Sequence, residues 1–98
     1  MGLTLAVGST LHDLGNASAF ARFLNWVAAQ NDAAARYPQV MAVRPVECEY
    51  AGADLAALER ELADLSRHAP NGETSDIVVE WLEMVRVAIR EREPLEFV

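Results

Sequence analysis

Three side chains that could build a hydrolytic centre, Ser9, His12 and Asp13, lie within one short stretch of this chain. A hydroxyl nucleophile needs a base within hydrogen-bond reach and a third group to orient that base. Residues this close in sequence rarely reach such geometry, so His12 and Asp13 are expected to stabilise a turn. A metal centre needs several His, Cys, Asp or Glu at ligand spacing. The chain offers His12, His68, Cys48 and the pair Glu47-x-Glu49, none in a zinc-like pattern. Positions i and i+2 of a strand share a face, which would set Glu47 and Glu49 side by side, towards solvent as readily as towards an ion. Gly-x-Ser-x-Gly, the phosphate-cradling loop and the dinucleotide fingerprint are all missing from the sequence. Acids abound, but no pair stands out for sugar hydrolysis. The expectation is a protein that is not an enzyme, with no catalytic residue, no metal and no cofactor. Cys48, the sole cysteine, leaves no internal disulfide and reads as a small core residue.

Acids and aromatics suit a binding role better. Glu47, Glu49, Asp54, Glu59 and Glu61 crowd one strand-to-helix junction, with Tyr50 among them. A cationic partner would meet a dense field there, associating fast and weakening with salt. These six residues are the candidate partner-binding set. Trp26, Tyr37 and Tyr50 sit at the margins of apolar stripes, where core-edge packing is favoured over a role as interface anchors.

The elements that must position them read as follows. Leu3, Leu5 and Val7 alternate with Thr4 and Ala6 as a short strand that Gly8-Ser9 stops. Ser9 to Asn16 reads as a polar loop with Gly15 and Asn16 as turn residues. Asn16 or Ser18 can cap a helix with Phe20, Phe23, Leu24, Val27 and Ala28 on one face, expected to end before Pro38. Gln39 to Tyr50 reads as extended, with a break in the pleat at Arg44-Pro45 that argues for a bulge or a sheet edge. A second helix, capped by Asp54, has Leu55, Leu58, Leu62 and Leu65 as its seam, with Arg60–Asp64 and Asp64–Arg67 as surface ion pairs. A third opens at Thr74 or Ser75 and buries Ile77, Trp81, Met84, Val85 and Ala88, the broadest stripe of the three. Leu95 to Val98 is a terminal strand, expected beside the first because short strands need partners. The fold class is α+β: a three- to four-stranded sheet covered by about three helices in two layers.

The sequence of 98 residues leaves room for one domain, 1–98. No apolar stretch spans a bilayer, and the first residues lack the pattern of a secretion signal, so a cytoplasmic address is expected. The net charge of −7 is uneven. Residues 1–46 hold two acids against three arginines (+1), whereas 47–98 hold 13 acids against five (−8). That asymmetry disfavours nucleic acid and anionic membrane and favours a cationic protein.

The opening Met1-Gly2-Leu3-Thr4-Leu5-Ala6-Val7-Gly8-Ser9 resembles the start of the family known as Immunity protein 70. Ser18-x-Phe20 with Phe23, Tyr37-Pro38, Leu58-x-x-Glu61-Leu62 and the ending Pro94-Leu95-Glu96-Phe97-Val98 are similar as well. Such families belong to bacterial polymorphic toxin systems, and the resemblance implies a protein that binds and neutralises a cognate toxin, without a catalytic residue. An alanine-rich chain whose basic residues are all arginine also reads as bacterial. Tyr50-x-Gly52-x-Asp54-Leu55-x-Ala57-Leu58 resembles the turn into helix of barstar-like inhibitors. That likeness implies Tyr50, Asp54 and Ala57 as contact positions, although the segment before Tyr50 reads here as strand where barstar-like proteins have helix. The expected function is toxin neutralisation by protein–protein contact. The alternative is a structural or regulatory subunit forming a homodimer through the edge near Pro45 or a patch around Trp26.

Overall fold

The computed structural model describes residues 2–44 and 48–98. The chain opens on a hairpin of β1 (Gly2–Val7) and β2 (Thr10–Asn16). The polar stretch expected as a loop is therefore a strand. The two-residue connection explains it: Gly8 at the first central position takes φ 56°, which a hairpin turn demands and glycine supplies at low cost. β2 looks polar because it is an edge strand with one face in solvent. A register shift pairs Leu3 with Gly15 and Thr4 with Asp13, so Leu14 is the extra residue of a bulge. Gly15 at φ 110° accommodates it, and Leu14 is turned into the core.

The first helix, α1 (Ala17–Ala28), is capped by the Asn16 side chain, which accepts from the Ala19 N–H at 2.7 Å. It stops well short of Pro38. Two short helices follow, α2 (Ala33–Arg36) and α3 (Pro38–Met41). Pro38 does not merely end a helix; it opens α3, where its missing N–H costs nothing. The start of the expected extended segment is thus helical. Val40 and Val43 are buried while Met41 faces solvent, a spacing of three that periodicity of two could not accommodate. The next strand among the described residues is β3 (Cys48–Tyr50). The expected bulge at Pro45, together with Val46 and Glu47, lies outside the described residues.

Long helices α4 (Ala53–Ser66) and α5 (Glu73–Glu91) then pack on each other, and β4 (Leu95–Phe97) follows. Gly52 rather than Asp54 stands at the N-cap of α4, and α5 begins at Glu73, slightly before Thr74. The leucine seam of α4 and the broad stripe of α5 are both buried. The sheet order is β2-β1-β4-β3 with every neighbour antiparallel. The first and last strands lie side by side as expected, with Leu5 opposite Phe97 and Val7 opposite Leu95. Among the described residues this is an α+β fold of four strands with the helices on one side. No helix among the described residues is long and apolar enough to cross a membrane.

Trp81 of α5 stands at the centre of the core, fully buried. Phe20 and Phe97 lie 5.6 Å from its ring, Phe23 6.1 Å and Tyr50 6.4 Å. One side chain thus joins α1, β3 and β4 to α5. Its indole N–H has no hydrogen-bond partner.

Candidate functional site

Strand register decides which side chains reach the side of the sheet that carries no helix. Leu3, Leu5, Val7, Leu95, Phe97 and Tyr50 point into the core. The alternate positions point out. Leu11 lies opposite Ala6, Ala6 opposite Glu96, and Glu96 opposite Glu49, so these four cross the sheet in one row. Thr4 and Asp13 form a neighbouring pair. Leu11 is 67 % exposed and Val98, whose N–H donates to the Thr4 carbonyl at 2.9 Å, is 61 % exposed.

Glu49 and Glu96 occupy the chemically unusual place in that row. Directly opposed residues of an antiparallel pair have Cβ atoms only about 4.5–5.5 Å apart, and like charges there repel. A hydrogen bond with the Glu49 carboxyl raises the Glu96 pKa above the usual carboxylate range, with desolvation and the Glu49 charge adding to it. No strand contains an arginine, and among the described residues no cation lies within ion-pair distance of Asp13, Glu49 or Glu96.

The other predicted residues go elsewhere. Asp54 is exposed in the first turn of α4, with the Gln39 side-chain amide 3.4 Å away. Glu59 meets Arg86 across α4 and α5 at 3.3 Å. Glu47 lies outside the described residues. Tyr50 and Glu61 are both buried, although Glu61 also lines a cleft beside Ala57. Their work is internal: the Glu61 carboxylate accepts the Gln39 and Val40 N–H groups at 3.1 and 3.0 Å, and the Tyr50 hydroxyl donates to the Gln39 carbonyl at 2.9 Å. Burial raises the Glu61 pKa, and those two N–H groups offset only part of the rise. Burial likewise pushes the Tyr50 hydroxyl well up. The three positions named by the barstar likeness do not form one surface. Ala57 lines a cleft of about 410 Å³ with Arg36, Tyr37, Pro38, Arg60 and Asp64, where charge is mixed rather than acidic.

Asp64 is the hub of that cleft. It accepts from the Tyr37 hydroxyl and from Arg36 at 2.9 Å, with Arg67 at 3.8 Å and His68 at 3.9 Å. The Tyr37 hydrogen bond and the surrounding cations hold its pKa below the usual range. The expected Arg67 partner is therefore present, whereas Arg36 from α2 takes the place foreseen for Arg60.

Ser9, His12 and Asp13 do not converge. Ser9 is in the hairpin turn, His12 points towards α5 and meets Glu80 at 2.8 Å, and Asp13 points the other way, accepting from the Gly15 N–H at 3.0 Å. Among the described residues no three His, Cys, Asp or Glu side chains are grouped to hold a metal ion. The arrangement with chemical consequence is the acidic row on the open sheet face, which can receive cations. Glu96 and Asp13 were missed as part of it, although Leu95-Glu96-Phe97 shows the alternation that puts Glu96 outward. Compared with family models, with curated proteins and with solved structures, the chain matches none of them.

Proposed function

We propose that this protein is an inhibitor of the immunity type, which neutralises a cognate toxin by binding it in a 1:1 complex. The observation that carries the reading is the opposed pair Glu49 and Glu96 on a sheet face where, among the described residues, no cation lies within ion-pair distance of them. Two carboxylates held face to face cost stability on their own, and a guanidinium or ammonium from a partner would relieve that cost. The short motifs that resemble Immunity protein 70 support the same reading, and two of them supply β1 and β4, the central strands.

Affinity capture from the native host with this chain as bait, eluted with rising salt, should yield a basic protein. Expressed alone, that protein should arrest growth, and co-expression of this chain should restore it. Growth arrest that persists despite co-expression would overturn the reading. The homodimer alternative is favoured by one observation, the exposed Leu11 on edge strand β2. Sedimentation separates the two, since a tight dimer of the isolated protein supports the alternative.

A further inference from the structure

We infer that the open face of the sheet is the docking surface, and that its occupant is a partner segment setting arginine or lysine side chains over Glu49 and Glu96. This rests on the inhibitor reading above and gives it a location. Charge complementarity selects the surface. Every arginine lies outside the described strands, and three of them meet acids there: Arg22 meets Glu73 at 2.8 Å, Arg36 meets Asp64 at 2.9 Å and Arg86 meets Glu59 at 3.3 Å. The strands carry Asp13, Glu49 and Glu96 and no arginine. A second copy of this chain would bring its own carboxylates against these, which like-charge repulsion disfavours. Nucleic acid is disfavoured for the same reason.

Hydrophobic contact adds to the selection. Leu11 at one end of the row and Val98 beside Glu96 expose apolar side chains next to the acids. Ala6 between them is itself buried, so the row offers Leu11 at one end and the glutamates at the other. A segment with apolar residues flanking a basic one fits that surface, the cation meeting carboxylates and the flanks covering Leu11 and Val98.

The test is a titration of isotopically labelled protein with an oligoarginine peptide at low salt, followed by amide chemical shifts. The largest shifts are expected in β3, β4 and the facing part of β1, and Glu49→Gln with Glu96→Gln should weaken binding about tenfold. The double variant removes a repulsion, so it is expected to fold, and Trp81 fluorescence verifies that. Asp76→Asn with Glu83→Gln on α5 should leave the affinity within about twofold, as surface charges away from a contact do. Binding that maps to the helices and ignores the sheet variant overturns this surface while leaving a cationic partner in place. Absence of binding at low salt overturns both the surface and the charge argument beneath the inhibitor reading. Self-association through the sheet face, seen by sedimentation and lost in the sheet variant, overturns the choice of occupant.

Discussion

Glu61 and Glu96 are both carboxylates with raised pKa values, and they raise them for different reasons. Glu96 is raised first by its hydrogen bond with Glu49, Glu61 first by burial. In each case the folded protein holds a proton more tightly than the unfolded chain. Each contribution to stability is therefore present in full below the ordinary carboxylate range and lost as pH rises through the raised value. Glu96→Gln should accordingly raise the unfolding midpoint at neutral pH and make little difference in acid. Urea unfolding at about pH 4 and about pH 7 would check the sign. Asp64 runs the other way, its support present at neutral pH and lost as pH falls through its lowered pKa. At the core, Trp81→Ala should cost about 3–5 kcal/mol, since it removes the side chain that touches α1, β3 and β4 together. Trp81→Phe should cost less, because it keeps an aromatic ring and removes an indole N–H that has no partner. Thermal or urea unfolding of the two variants side by side measures the difference.

The element that depends most on single residues is α3. Its four residues cannot sustain a helix by backbone bonds alone. Glu61 holds two N–H groups at its start and Tyr50 holds the Gln39 carbonyl. Glu61→Ala should cost about 2–3 kcal/mol by leaving buried donors unpaired. It should also speed hydrogen exchange at the Gln39 and Val40 amides, with the core of α5 unchanged. Tyr50→Phe, losing one hydrogen bond, should cost about 1 kcal/mol. This element also marks how far the sequence could be read. Periodicity identified α1, α4 and α5, because each buries a long apolar stripe. It missed α3, which is set by a carboxylate 21 residues further along the chain. It missed β2 as well, since an edge strand with one solvated face has the composition of a loop. The acidic junction was visible as a cluster, but pairing decides its meaning: register sends Glu49 to the open face beside Glu96, while helix geometry turns Glu61 inward. A run of acids in one dimension cannot reveal that its members face opposite ways.

Taken whole, the molecule separates its tasks by side. Helices and their ion pairs cover one side of the sheet, and the arginine-free strands present the other. Association with a basic partner should therefore show an on-rate that falls steeply between low and physiological salt, where the screening length shortens to about 8 Å. Stopped-flow mixing at several ionic strengths measures this, and a dissociation rate nearly independent of salt is expected alongside it. The strand order has a further consequence, which concerns how the sheet closes. Among the described residues β4 alone joins the β1–β2 hairpin to β3, pairing with β1 on one side and β3 on the other. Setting Leu5 opposite Phe97 brings together positions from opposite ends of the sequence. Contacts so distant along the chain carry a large loop-closure cost and slow folding. The hairpin can form from neighbouring residues, whereas the centre of the sheet is its most non-local part.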